Sequence, residues 1–375
     1  MLLTACILLF TAFEYHRRPT ITTLLYVFAL SVLSMTTSLG GFLATFTLDV
    51  MLAVALTVSF IALECYLTQL DDETLAFDLE IIGGIYNINT ITGQTITSRE
   101  VEEQYALTTD RDYALLERIM GPGMHTRLGN DNATQFNYVM DEIQATNATQ
   151  VLEIGCGRGH SHVLAQMMPN VQFTGIDLVE RHIEVAESRG LANLEYIQAD
   201  ATTDISWLGK NRFQIIFGVE SLCHMDSDEK RSQFIANVKS LIAPGGRLVI
   251  VDGFRSNTFA TASPNQQKAM MLAESGFAIM HMPSKTDWIQ AAQGVVTSNK
   301  DLTADAMPYW ILGWRIARFI MVFPIFMHYY SRRSRATMCT IMNLLSVATV
   351  AHAMRNSAAA EYGVLVVSFM HQTDQ

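Results

Sequence analysis

Hydrophobic residues run along this chain in two different rhythms. Up to about residue 67 they are nearly continuous, and no charged residue falls between Arg18 and Asp49. The stretch TITTLLYVFALSVLSMTTSL (20–39) is long enough to cross a bilayer, since about 20 apolar residues span ~30 Å of hydrocarbon. Gly40 and Gly41 can turn the chain, and FLATFTLDVMLAVALTVSFIAL (42–63) would return it, with Asp49 interrupting that second run near one end. MLLTACILLFTAF (1–13) is apolar but short for a span. It has no basic residues ahead of it and no cleavage site after it, so it does not read as a removed signal peptide. A transmembrane hairpin over 20–63 is therefore expected ahead of a buried soluble one, with two or three spans in all and the bilayer as a partner. His16, Arg17 and Arg18 precede the first long run, which places that end in the cytosol. A hairpin brings the chain back to the same side, so an integral membrane protein with its remaining domain facing the cytosol is expected.

The second rhythm starts after DDETLAFDLE (71–80), where the composition turns acidic. Residues 98–147 read as mostly helical, broken at Gly121-Pro122-Gly123. From Val151 short apolar runs alternate with amphipathic stretches. VLEIG (151–155), VQFTGID (171–177), LEYIQAD (194–200), FQIIFGV (213–219) and RLVIVDG (247–253) predict buried strands, with helices between them. That alternation is the signature of an α/β, doubly wound parallel sheet. EYGVLVVSFM (361–370) predicts one more strand. Before it, residues 306–358 carry six arginines (Arg315, Arg318, Arg332, Arg333, Arg335, Arg355) and no acid. This stretch reads as a helical lid, either a cap packed on the domain or an amphipathic, membrane-touching element. The expected organisation is membrane-anchoring segments at 1–67, a helical pre-core segment at 68–150, a core at 151–305, the lid at 306–358 and a final core strand at 359–375.

Charge and cysteine content narrow the possible partners. A formal net charge of −11 argues against nucleic acid, whose binding surfaces are basic. The five cysteines (Cys6, Cys65, Cys156, Cys223, Cys339) show no paired or metal-ligand spacing, which suggests reduced thiols and no metal site. No motif sets the oligomeric state.

The most specific chemistry lies in VLEIGCGRGH (151–160). A strand carrying Glu153 runs into Gly155, Gly157 and Gly159, which let a tight turn bring backbone N–H groups against a ligand. A dinucleotide turn would need glycine at 160, where this chain has His160, so a dehydrogenase is disfavoured. The spacing fits an S-adenosyl-L-methionine turn better. Asp177 ends the next strand, where ribose hydroxyls would sit, with Leu178 beside it. Asp200 and Ala201 end the third, where an adenine would sit.

Residues from about 100 onward resemble class I S-adenosylmethionine-dependent methyltransferases. IAPGGRLVIVDGF (242–254) is similar to that family's Pro-Gly-Gly turn into its fifth strand, and EYGVLVVSFM to its antiparallel last strand. The resemblance implies a seven-stranded sheet with the last strand antiparallel, and S-adenosylmethionine as cofactor. Three further stretches resemble the lipid and terpenoid branch, the tocopherol and sterol C-methyltransferases. They are VESLCHM (219–225), YALTTDRDYALLERIMGPGMHTRLG (105–129), and SKTDWIQAAQG followed by DLTADAMPYW. By that resemblance Tyr105 and His125 would close over the cofactor, and Val219 would sit beside it.

Glu220 and His224 follow the fourth strand. A helical turn there would put them on one face as an acid–imidazole pair able to move a proton. A carboxylate that positions the cofactor and a histidine that braces a loop are the plainer alternatives. Cys223 between them reads as filler. Tyr309, Trp310 and Trp314 are candidates for lining an apolar acceptor pocket, or for ordinary core. NAT at 132–134 and 147–149 are glycosylation sequons that stay bare on a cytosolic domain. The combined expectation is a membrane-anchored methyltransferase acting on a hydrophobic small molecule: a sterol, a tocopherol- or quinone-like phenol, or another terpenoid. The alternatives are an N- or O-methyltransferase for phospholipid head groups or small amines, and a non-catalytic membrane scaffold that keeps the fold.

Overall fold

The apolar runs do form one sheet, and its strand order explains where a ligand can sit. The computed structural model describes residues 68–85, 98–106, 110, 113–114, 125–129, 135–321 and 335–369. The expected hairpin at 20–63, the 1–13 stretch and the sequon at 132–134 lie outside the described residues. Among the described residues no helix is long and apolar enough to cross a membrane.

Strands β1 (Gln150–Ile154), β2 (Gln172–Asp177), β3 (Leu194–Gln198), β4 (Phe213–Val219), β5 (Ile242–Arg255), β6 (Val295–Asp301) and β7 (Ala360–Ser368) form a seven-stranded sheet in the order β3-β2-β1-β4-β5-β7-β6. Strands β1 to β5 pair in parallel, while β7 runs antiparallel to both β5 and β6. Successive residues point to opposite faces of a strand, and the core divides accordingly. Val151, Ile215, Phe217, Val249, Val251, Val364 and Val366 pack on one face. Leu152, Ile154, Ile216, Leu248, Ile250, Leu365 and Val367 pack on the other. Burial on both faces is why these strands read as continuous apolar runs. The exception is β6, an exposed edge strand with mostly polar residues, which the apolar pattern did not predict. The order reverses between β1 and β4, and ligands bind such sheets at that crevice, outside the carboxyl ends of the strands.

Helices α1 (Asp72–Ile85), α2 (Ser98–Ala106) and α3 (Gln135–Thr146) precede the sheet. Helices α4 (His162–Met167), α5 (Glu180–Glu187), α6 (Asp228–Leu241), α7 (Pro264–Gly276) and α8 (Lys285–Ala292) connect its strands, and the lid comprises α9 (Thr303–Met321) and α10 (Arg335–Met354). Local signals set several helix starts. Capping boxes close α7 at Ser263 and Gln266 and α8 at Ser284 and Asp287.

The lid packs on the acidic segment that follows the apolar N-terminal region. Leu75 and Ile82 of α1 meet Ala269 and Leu272 of α7, Trp314 and Ala317 of α9, and Leu345, Ala348 and Ala351 of α10. Asp78 of α1 sits within this cluster, fully buried. It accepts hydrogen bonds from Trp314 Nε1 at 2.8 Å, Arg318 Nε at 3.0 Å and His352 Nε2 at 3.1 Å. A buried carboxylate is tolerated only when its oxygens are satisfied, and here three donors from both lid helices do so. Arg355 pairs with Asp72 at the start of α1. Two lid arginines are thus turned toward α1, so the described part of the lid is a packed cap. Trp314 is one of its core residues rather than part of an acceptor pocket.

Candidate active site

The glycine turn after β1 is held by its neighbours, and its three glycines do different work. Gly155 and Cys156 both donate backbone N–H groups to the Ile176 carbonyl, at 2.8 and 3.0 Å, which pulls the turn against β2. All three glycines have positive φ: 71° at Gly155, 53° at Gly157 and 79° at Gly159. A Cβ on Gly155 would lie 2.4 Å from the Ser221 Cβ, and one on Gly159 would lie 2.6 Å from the Tyr196 hydroxyl. Those two glycines are required by packing as well as by backbone. A Cβ on Gly157 would meet nothing within 4 Å, so the middle of the turn faces open space.

Asp177, at the end of β2, binds that middle glycine. Its Oδ2 accepts the Gly157 N–H at 2.8 Å, its Oδ1 accepts the Val179 N–H at 2.9 Å, and His182 Nδ1 lies 3.4 Å from Oδ1. Glu153 on β1 is buried, and its Oε2 has no hydrogen-bond partner among the described residues. Burial pushes its carboxyl up to about 7. An open glycine cradle, an aspartate at its rim and a buried carboxyl with one oxygen unpaired fit a cationic cofactor with hydroxyl groups, as S-adenosylmethionine is. Asp200 is half-buried and forms a local turn, its Oδ1 accepting the N–H and hydroxyl of Thr202 at 2.8 and 2.7 Å. Ala201 is buried, and its carbonyl accepts from Asn237 Nδ2 at 2.9 Å. Leu178 is half-buried beside Asp177, and Val219 is a core residue at the end of β4.

The pair expected within 219–226 is not formed. Glu220 has φ of +51°, a left-handed conformation that costs energy for a side chain of its type and often marks functional sites. The chain then tightens into a 3-10 turn at Leu222–His224. Residues three apart eclipse in such a turn, so a spacing of four no longer shares a face. The loop is pinned by Ser221 Oγ, which donates to the Ile154 carbonyl at 2.6 Å, and by the Cys223 N–H, which donates to Asp252 Oδ2 at 2.9 Å.

Glu220 and His224 therefore find partners on other elements. The Glu220 Oε1 accepts from the Tyr362 hydroxyl at 2.7 Å, the Thr126 N–H at 2.9 Å and Gln135 Nε2 at 3.2 Å. Its Oε2 lies 3.4 Å from His125 Nδ1. The His224 Nε2 pairs with the Tyr105 hydroxyl at 3.1 Å. One imagined pair is replaced by two that cross elements, and both reach into the pre-core segment. Cys223 is buried, and burial pushes its thiol well up, in keeping with a filler role.

Ionisation differs between the two pairs. Burial pushes His224 down to about 4, so it is neutral near pH 7. Burial also opposes charge on His125 and Glu220, but their mutual hydrogen bond and attraction outweigh it. The imidazole ends above its usual value and the carboxylate below its own. Asp252 on β5 is pushed up to about 7, first by burial and then by the Glu220 charge. Burial raises the hydroxyls of Tyr105, Tyr309 and Tyr362 as well. Tyr309 is buried within electrostatic reach of Glu220, and Trp310 meets it edge-on with ring centroids 5.3 Å apart. Trp314 belongs to the Asp78 cluster instead.

Sequence reasoning missed Gln135, Asp252 and Tyr362. Asp252 carries the same signal that drew attention to Asp177 and Asp200, an acid closing an apolar strand. Nothing local marks Gln135 or Tyr362, which arrive from α3 and the antiparallel β7.

The order reversal, the glycine turn and the acids closing successive strands are the features that the resemblance to class I methyltransferases led one to expect. A family model described as a methyltransferase domain matches residues 151–246, which run from β1 into β5. Residues 151–246 thus carry a methyltransferase domain. An O-methyltransferase of Aspergillus nomiae is 28% identical over 152 residues, covering 39% of this chain and 63% of the relative. Phosphoethanolamine N-methyltransferase 1 of Triticum aestivum is 24% identical over 164 residues, covering 43% of this chain and 30% of the relative. The chain thus spans less than two thirds of the length of either of these curated relatives. Geranyl diphosphate C-methyltransferase from Streptomyces coelicolor, solved with Mg2+, geranyl-S-thiolodiphosphate and S-adenosyl-L-homocysteine, superposes with a TM-score of 0.52 at 15% identity. The match covers 72% of this chain and 96% of that one, and it shows a shared fold.

Proposed function

We propose that the protein transfers a methyl group from S-adenosylmethionine to a neutral, lipid-soluble acceptor, held at a membrane by the hairpin at 20–63. The observation that carries this reading is the charge of the site. Glu153, Asp177, Glu220 and Asp252 gather at the carboxyl edge of the sheet, with His125 as the imidazole set against them. When bound, S-adenosylmethionine supplies an electrophilic methyl group on a positively charged sulfur. The carboxylates favour that charge, and the same field disfavours an anionic acceptor. Gly157 and Asp177 hold the cofactor end. The buried Tyr309 and the half-buried Trp310 supply apolar surface at the lid side. A sterol, a tocopherol- or quinone-like phenol, or another terpenoid fits such a site.

The carboxylates also favour a second reading, in which the acceptor is an amine. Both of these chemistries have one test. Full-length protein in membranes is given cofactor with a labelled methyl group and a total lipid extract from its own cells. Label is expected in the neutral lipid fraction. Label confined to phospholipids or water-soluble amines would support the second reading and end the first.

A further inference from the structure

The loop histidine, His224, is the residue its motif offers as a base, yet its Nε2 already meets the Tyr105 hydroxyl at 3.1 Å. The geometry points to a different imidazole: we propose that His125, oriented by Glu220, is the group that takes the acceptor's proton, and that the acceptor is a neutral molecule bearing a hydroxyl that must lose it. This rests on the function proposed above.

Glu220 is poorly placed to be that base itself. Its Oε1 accepts from three donors, Tyr362, Thr126 and Gln135, and its Oε2 faces His125 Nδ1. A carboxylate held by that many donors is a poor proton acceptor and a good fixed anchor. Its place beside Nδ1 favours a proton on that nitrogen, which leaves Nε2 with its lone pair free. Among the described residues Nε2 has no hydrogen-bond partner. The ring is only part-buried, and its walls are the edges of Phe136 and His160, with centroids 5.7 Å away in each case.

The titratable groups facing His125 are Glu220 after β4, Glu153 on β1, Asp252 on β5 and His160 on the glycine turn. Burial holds His160 at about 3, so it adds no competing positive charge near neutral pH. The acids all favour an imidazolium once the proton arrives. The step balances: the acceptor's proton goes to Nε2, its oxygen gains the methyl group, and the sulfonium becomes a neutral thioether.

The experiment uses full-length protein in lipid nanodiscs and two readouts. The first is histidine nitrogen NMR, which needs no acceptor. His125 should carry its proton on Nδ1, and its titration should move to lower pH in Glu220→Gln. A proton on Nε2, or a titration indifferent to Glu220→Gln, would overturn the proposal. The second is the pH dependence of methyl transfer into neutral lipid. His125→Ala should lose about 10²-fold or more in kcat and lose the fall in rate at acid pH, with added imidazole restoring part of the rate. His125→Gln should bind S-adenosylhomocysteine within about threefold of wild type, which separates a folding defect from a lost base. A rate in His125→Ala within threefold of wild type, with its acid limb intact, would overturn the proposal and leave the neutral-lipid reading standing. If wild type labels no neutral lipid at all, that reading falls, and the proton position on His125 decides the pairing on its own.

Discussion

Replacing Asp78 tests the packing of the lid without any knowledge of the acceptor. Asp78→Ala removes the carboxylate that receives Trp314 Nε1, Arg318 Nε and His352 Nε2 inside a cluster where Asp78, Trp314 and His352 are essentially inaccessible to water. Truncating one side of a buried ion pair costs about 3–5 kcal/mol, because the remaining charge stays buried without compensation. Arg318 is that charge here. The orphaned indole N–H and imidazole add desolvation in the same direction, so about 4 kcal/mol is the expected loss. For a domain of this size each kcal/mol moves the midpoint of unfolding by roughly 2–4 °C, which gives a drop of about 8–16 °C. Asp78→Asn keeps an acceptor oxygen and should lose about half as much. Thermal unfolding followed by tryptophan fluorescence reads both, since Trp314 reports directly on the cluster. A drop under about 3 °C in Asp78→Ala would refute the reasoning and would mean that α1 and the lid helices are not locked together through this residue.

Three further outcomes are expected. Gly157→Ala should fold, with a backbone penalty of about 1 kcal/mol for its positive φ, yet lose cofactor affinity; Gly155→Ala should be far less stable, because its Cβ meets Ser221 at 2.4 Å. Urea titrations and calorimetry separate the two losses, and equal stability would contradict the assignment of roles. Glu153 and Asp252 are both pushed up to about 7, above their unfolded values, so their contribution to stability is full below about pH 4 and is lost as pH rises toward 7. A bound cation offsets the repulsion, so affinity for S-adenosylmethionine should rise relative to S-adenosylhomocysteine between about pH 6 and pH 8. A ratio flat in pH, measured by calorimetry, would contradict this. Tyr105→Phe removes the hydroxyl that meets His224 Nε2, and should leave that imidazole shifted in histidine NMR; an unchanged spectrum would show that the two do not meet.

Strand positions were legible because burial on both faces writes a run of apolar residues, as in Phe213–Val219 and Leu248–Val251. The edge strand Val295–Asp301 has no buried face to write such a run, and the apolar pattern passed over it. At the site, Gly155, Gly157, Gly159 and Asp177 could be read because one tight turn joins them within 23 residues of chain. The difference among the glycines could not, since it depends on Ser221 and Tyr196 arriving from elsewhere. The same holds for Glu220. Its partners come from positions 125, 126, 135 and 362, and the left-handed backbone that aims it at them leaves no mark in composition. The spacing of Glu220 and His224 suggested a helical pair, and a 3-10 turn undid it. The acidic start of α1 and the arginines of the lid were each visible alone. Their pairing across more than 200 residues was not.

The carboxyl edge of β1 and β2 is where the cofactor is proposed to bind. Calorimetric titration of full-length protein with S-adenosylmethionine should show one site, and Asp177→Ala should weaken it by about 100-fold, roughly the worth of charge-assisted hydrogen bonds lost together at the rim of the glycine turn. An affinity unchanged in Asp177→Ala would contradict the assigned site.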